Sequence, residues 1–135
     1  MIVDLPASLY GEAVALWHAT GLTRPWNDPH EDLQRAVTGA SSAVLADVED
    51  GVLRGTAMVG TDGHRGWMYY LAVDPDVQHG GLGRELVAAC EQWVRDRGTP
   101  KLMLMVRTDN AAVLGFYASL GYEVNDVATL GKRLD

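Results

Sequence analysis

At 135 residues, 47% of them hydrophobic, the chain is sized for one domain over residues 1–135 with a real core. Its formal net charge of −7 argues against non-specific binding to nucleic-acid phosphates and leaves room for a cationic substrate. No window reaches the roughly 18 apolar residues of a membrane span, "MIVDLPASLY" lacks signal-peptide character, and the lone Cys90 can form no internal disulfide, so a cytoplasmic protein is expected.

In chain order, "MIVDL" reads as a short first strand. "ASLYGEAVALWHATGL" has apolar residues at mixed helical spacing and should end near Gly21. After the turn-rich "RPWNDP", Asn27 or Asp28 can cap a second helix that has Pro29 at its first position and stops near Gly39. From Ser42 the period changes. "SAVLADV", "VLRGTAMVGT" and "WMYYLAV" read as a three-strand meander, with Asp50-Gly51 and residues 62–66 as its turns. Asp74-Pro75 ends the third of these, because proline cannot donate to the ladder.

A helix is predicted from about Leu82 to Arg97, with Leu82, Leu86, Ala89 and Trp93 on one face and Gly98 just past its end. "KLMLMV", apolar throughout, suits a strand near a sheet centre. Asp109 or Asn110 caps a last helix, "AAVLGFYASL", which Gly121 ends, and "YEVND" and "VATLGKRL" close the chain as a strand pair. This order describes a mixed α/β (α+β) domain. Cys90 falls within an apolar helical pattern and reads as a buried thiol. The four histidines are scattered, with no CxxC or HExxH, and no metal site is expected.

The junction "QHGGLGRE" carries three glycines in four positions, between an apolar strand and an amphipathic helix. A helix N-terminus exposes unpaired N–H groups and about half a positive charge. Glycines there let a phosphate approach with no Cβ in the way. Gly81 and Gly83 could therefore form a pyrophosphate cradle, with Arg84 adding a cation. The same glycines also suit a tight turn that holds no ligand. The dinucleotide fingerprint would need glycine at position 86, which is Leu86, and an acidic residue about twenty positions on, where Lys101 stands. The Gly-Lys-Ser/Thr of a P-loop is absent.

These residues resemble the GNAT superfamily of acyl-CoA-dependent N-acetyltransferases. Gln78, Gly81 and Gly83 match the family's Q/R-x-x-G-x-G/A loop, and "YYLAVDPD" looks like its fourth strand, ending in Val-x-Pro. Downstream, "NAAVLGFYASLGY" places Asn110, Phe116, Tyr117, Gly121 and Tyr122 at the positions of a second family motif, with Val113 in place of the usual alanine. "RPWNDP", "DGHRG" and "LGKRL" are similar to the YpeA-type bacterial subgroup.

The resemblance implies a central mixed sheet of six to seven strands flanked by about four helices, and acetyl-CoA as cosubstrate with no metal. The cofactor would lie in a gap between "YYLAV" and "KLMLMV". Backbone groups of Leu71 and Val73 would pair with the pantetheine arm like an added strand. An unpaired amide nearby would polarise the thioester carbonyl. Gln78, Gly80, Gly81, Gly83 and Arg84 would take the diphosphate.

Asn110 would bond the pantetheine arm or cap its helix, and Tyr117 would protonate the departing thiolate or serve as a core aromatic. The acceptor is expected to be an amine, from a small molecule or a peptide N-terminus, that attacks the thioester directly in a ternary complex. An amine whose pKa is near 10.4 needs a base, and Asp28, Asp62 and His64 are candidates, with Trp26 as a pocket wall. Family members often form homodimers through C-terminal strands. A non-catalytic acyl-CoA sensor of the same fold is the alternative, and an interaction domain with an idle loop a further one. No nucleic-acid or membrane partner is expected.

Overall fold

The computed structural model describes residues 1–135, which divide into two units, Met1–Met105 and Val106–Asp135. In the first unit, five strands form one sheet in the order β1 (Ile2–Asp4), β2 (Ser42–Glu49), β3 (Val52–Thr61), β4 (Gly66–Val73) and β5 (Leu102–Met103). β1 to β4 pair antiparallel with one another in turn and β5 is parallel to β4, so the sheet is mixed. Asp50 and Gly51, at φ 52° and 76°, supply the two left-handed residues that a tight β2–β3 turn requires.

Three helices cover the two faces of this sheet. α1 (Tyr10–Ala19) follows a 3-10 turn at Ala7–Leu9 and stops ahead of Gly21, at φ 74°. α2 (Pro29–Thr38) is capped by Asp28, whose carboxylate accepts the N–H groups of His30 at 2.9 Å and Glu31 at 3.4 Å. Such a cap contributes about 1 kcal/mol. Val44, Ala46 and Met58 pack with Val14, Trp17 and Leu33 from these two helices. One residue out of phase, the buried Leu45, Ala57 and Val59 turn to the opposite face, where α3 (Leu82–Asp96) lies.

The buried stripe of α3 is Leu82, Leu86, Val87, Cys90 and Val94. It lies to one side of the predicted face. Ala89 and Trp93 are only partly covered, and the Arg97 guanidinium sits 3.5 Å above the Trp93 ring. α3 approaches the sheet closely at Gly55. A Cβ there would fall 2.9 Å from Leu86 Cδ1 and 3.0 Å from the Ala72 carbonyl oxygen.

The second unit holds α4 (Ala111–Ser119), capped by Asn110, whose Oδ1 accepts the Val113 N–H at 3.2 Å.

The strands at the C-terminal end depart from expectation. The sheet has five strands, not six to seven. Of "KLMLMV" only Leu102 and Met103 pair, and they form an edge rather than a centre. Met105 is 55% exposed, so the apolar run is not buried on both faces as a central strand would be. Residues 122–135 form no strand. Val124, Val127, Leu130 and Leu134 are 73–92% exposed, and a two-strand ribbon with no apolar face to bury is marginal in water.

Candidate functional site

The glycine junction begins where β4 ends. The Asp74 N–H donates to the Arg54 carbonyl at 2.8 Å, and the Asp74 carboxylate accepts the Asp76 N–H at 2.9 Å, starting a 3-10 turn at Pro75–Val77. Gln78 Nε2 then reaches back and donates to the Val73 carbonyl at 3.1 Å, tying the loop to the strand end. Gly81, at φ 86°, is the N-cap of α3 and supplies no capping side chain. The first backbone bond of the helix is Glu85 N–H to the Gly81 carbonyl at 3.1 Å. The N–H groups of Leu82, Gly83 and Arg84 precede that bond and have no partner within the helix. Leu82 turns into the core, while Gln78, His79, Gly80, Gly81 and Arg84 are exposed. A Cβ built on Gly81 meets nothing within 4 Å, so the space before the helix end is open.

The second feature is the free edge of β4. Its pairing with β5 covers only Gly66↔Leu102 and Trp67↔Met103, and β4 runs on to Val73 without β5. The edge also changes phase. Opposite β3, Met58 pairs with Tyr69 and Thr56 with Ala72, leaving Ala57 against both Tyr70 and Leu71, a β-bulge.

Before the bulge, Gly66 N–H points to β5, bonding the Lys101 carbonyl at 2.8 Å. After it, Asp74 N–H points to β3, so strand alternation turns Ala72 to β3 and directs the N–H groups of Leu71 and Val73 to the open edge. Tyr70, the extra residue, sits at φ 51°. Its ring stacks on Trp17 with centroids 4.0 Å apart, and its hydroxyl donates to Asp32 Oδ2 at 2.7 Å. Thr56 Oγ1 donates to its carbonyl at 3.0 Å and accepts the Trp17 indole N–H at 2.8 Å. Burial, then the bond to Asp32, then the charges of Asp32 and Asp28 push the Tyr70 phenol well above its ordinary value. The sequence reading missed Trp17, Asp32, Thr56 and Tyr70; no residue type in "WMYYLAV" signals a bulge.

The other expected residues separate into groups. Asp28 is occupied as the α2 cap, yet its charge reaches the Tyr70 phenol, and Trp26, two residues earlier, is 56% exposed. Asp62 closes the β3–β4 turn, accepting the N–H groups of His64 and Arg65, each at 2.8 Å. Those bonds, Arg65 first, hold its carboxyl below the ordinary value and make it a weaker proton acceptor. Asp62 and His64 precede Gly66, and the five residue steps from Gly66 to Leu71 span roughly 16 Å, so this turn is not brought to the free edge. Within the second unit, Asn110 caps α4. Tyr117, buried, lies edge-on to Phe116 at 5.0 Å and to Tyr122 at 5.6 Å.

A cavity of about 510 Å³ also borders the loop, lined by Asp47, Glu49, Arg54, Val77, Gly80 and Glu85 among others. Three carboxylates against one guanidinium and the Met1 ammonium, itself paired with Asp47 and Glu49, leave it net acidic and a poor place for a diphosphate, and Leu71, Val73, Gly81 and Gly83 do not line it. No three His, Cys, Asp or Glu side chains converge as a metal site requires, and no helix is long and apolar enough to cross a membrane.

Residues 11–122 match the Acetyltransferase (GNAT) family. An acetyltransferase of Yersinia pestis (strain Pestoides F) is 43% identical over 125 residues, covering 93% of this chain and 89% of that protein. An aminoglycoside acetyltransferase from an uncultured soil metagenomic sample, solved in complex with sisomicin, superposes with a TM-score of 0.81 at 18% identity, covering 100% of this chain and 96% of that one. AAC(6')-Iy in complex with the bisubstrate analogue CoA-S-monomethyl-acetylneamine gives a TM-score of 0.82 at 18% identity, covering 98% and 97% of the two chains. At these identities the structural likeness establishes a shared fold.

Proposed function

The chain belongs to the GNAT acetyltransferase family, and from that premise we propose that it transfers an acetyl group from acetyl-CoA to a primary amine of a small molecule or a peptide N-terminus. The observation that carries this is the free edge of β4 running through residues 74–81 into an uncapped helix N-terminus, an arrangement that accommodates an extended arm ending in a diphosphate. The neighbours described as aminoglycoside acetyltransferases, one of them bound to a CoA bisubstrate analogue, support a CoA donor and an amine acceptor. All 135 residues are read as one functional domain, since the family match runs across both units. "RPWNDP", "DGHRG" and "LGKRL" support a place beside the YpeA-type acetyltransferases.

In this reading, acetyl-CoA supplies an activated thioester. The N–H groups around Gly80, Gly81 and Gly83 hold its diphosphate, with Arg84 as counter-charge and Gln78 fixing the loop. Leu71 and Val73 pair with the pantetheine arm along the free edge, and an unpaired amide there polarises the carbonyl. Asn110 caps α4 and also bonds the arm. The acceptor amine attacks the carbonyl carbon directly in a ternary complex. The C–N bond forms, the C–S bond breaks, Tyr117 gives its proton to the departing sulfur, and the proton that the amine sheds passes through water to the Tyr117 oxygen. Trp26 and Asp28 line the acceptor side. Asp62 and His64 are left outside the reaction, because their turn is remote from Leu71 and the Asp62 carboxylate is already engaged.

The test is free-thiol release from acetyl-CoA against a panel of primary amines. Amine-dependent release above hydrolysis is expected. Tight CoA binding with no turnover would instead point to an acyl-CoA sensor.

A further inference from the structure

Tyr70 is the one residue inside the regular secondary structure, glycine or not, at positive φ. A left-handed bulky residue is unfavourable and persists only where its surroundings hold it. Three parts of Tyr70 are held: the ring by Trp17, the hydroxyl by Asp32, and the carbonyl by Thr56. The two partners from the first face are themselves fully buried, Trp17 and Thr56 at 0% exposure, and they bond each other.

The consequence shows in neighbouring residues. Gly66 faces α3, since a Cβ there would fall 2.7 Å from Val94, and Met68, two residues on, shares that face. Ala72, four residues after Met68, belongs instead to the cluster with α1 and α2. An even spacing should keep one face, so the strand turns over at Tyr70. The same turn brings the N–H of Leu71 to the free edge; in an unbroken strand that N–H would bond β3 and be spent there.

Resting on the acetyl-transfer reading above, we propose that Tyr70, clamped by Trp17, Thr56 and Asp32, is a positioning residue that aims the Leu71 N–H at the thioester carbonyl. Asp32 also accepts from Arg35 at 2.9 Å on α2, so the aim of this amide is fixed from the helix whose cap is Asp28. A donor aimed at a developing oxyanion acts only if its direction is fixed beforehand, and misplacement by about 1 Å can cost 10²-fold.

The test uses the full chain with acetyl-CoA labelled with ¹³C at the carbonyl. Isotope-edited infrared spectra of the bound thioester are recorded for the wild type, Tyr70→Phe, Asp32→Ala and Asp32→Asn, beside calorimetry with CoA. The wild type should give one narrow carbonyl band below its solution position. Tyr70→Phe keeps the ring on Trp17 and loses only the hydroxyl, so the fold is retained. It and Asp32→Ala should broaden the band and return it toward solution, with CoA affinity within twofold. Asp32→Asn keeps one acceptor oxygen, which the Tyr70 hydroxyl can use, and gives up the one that Arg35 uses, so its band should stay closer to wild type than to Asp32→Ala. With any amine that is turned over, Tyr70→Phe and Asp32→Ala should each lower kcat about tenfold, and the double variant no further, because both cut one hydrogen bond.

A Tyr70→Phe band identical to wild type overturns the proposal. So does Asp32→Asn acting like Asp32→Ala, since the charge and not the hydrogen bond would then matter. A wild-type band at the solution position rules out Leu71 as the donor while leaving CoA binding intact. Failure of CoA to bind at all overturns the acetyl-transfer reading and the clamp with it.

Discussion

Replacing Gly81 by alanine separates the phosphate cradle from ordinary backbone effects. Gly81 sits at φ 86°, and a Cβ there meets no atom of the protein within 4 Å. The cost to folding is therefore backbone strain, about 1–2 kcal/mol for an L side chain in the left-handed region. At about 2.1 cal/mol/K of unfolding entropy per residue, a chain of 135 residues loses roughly 3.5 °C of Tm per kcal/mol, so a drop of about 4–7 °C is expected. The effect on CoA has a different origin. The new methyl projects into the open space before Leu82, Gly83 and Arg84, where the diphosphate is proposed to lie. Loss of one charge-assisted hydrogen bond costs about 1.5–3 kcal/mol, or roughly 10- to 150-fold in Kd. Gly98→Ala, beyond the other end of α3, is the matched control. Gly98 has φ 75° and equally empty surroundings, so its variant carries the same strain and the same Tm loss. Calorimetry with CoA should find Gly81→Ala weakened at least tenfold and Gly98→Ala within twofold of wild type. Equal affinity for the two variants would refute the cradle, because strain would then account for everything.

Tyr117→Phe should lower kcat by about 10²-fold, the scale of proton donation, with CoA affinity unchanged in calorimetry. Gly55→Val would drive a side chain into Leu86, whose Cδ1 already lies 2.9 Å from the Cβ position. Overpacking of this kind costs about 1–3 kcal/mol, and a thermal scan should show the lowered midpoint together with weaker CoA binding as α3 is pushed from the sheet. The depressed pKa of Asp62 predicts a stability contribution that is complete above the unfolded carboxylate value of 3.8 and is lost as pH falls through the lower folded value. Asp62→Asn should accordingly be less stable than wild type at pH 7, and the gap between the two unfolding curves should close as the solution is acidified below that range.

Where local chemistry decides an element, the sequence was readable. Asp28 before Pro29, Asp50-Gly51 between two strands, and Gly21, Gly98 and Gly121 after helices all stand where their residue types require. The glycine junction was legible for the same reason: a helix end without a capping side chain, opening on free space, is written in the glycines themselves. The ends of the sheet were not legible. "KLMLMV" has strand composition, but pairing needs a neighbour in phase, and β4 offers one only at Gly66 and Trp67. In "YEVND" and "VATLGKRL", Val124, Val127, Leu130 and Leu134 stay exposed, and propensity without burial does not make a strand.

The bulge at Tyr70 was hidden for a further reason, and it bears on how the site works. Alternation of polar and apolar residues reveals the phase of a strand only when one face is wet. β4 packs on both faces, against α1 and α2 on one and α3 on the other, with Tyr69 its one exposed side chain, so "WMYYLAV" carries no charged or strongly polar residue and its phase leaves no mark in composition. One extra residue can then be inserted with only Tyr69, at 42% exposure, left largely open to water. Met68 and Ala72 simply bury on opposite faces. The penalty falls on the backbone, as a left-handed tyrosine, and the contacts with Trp17, Thr56 and Asp32 offset it. Double coverage of the strand is thus what permits a break in its pairing, and the break is what leaves the Leu71 and Val73 amides on the open edge, next to a helix end that lacks a cap.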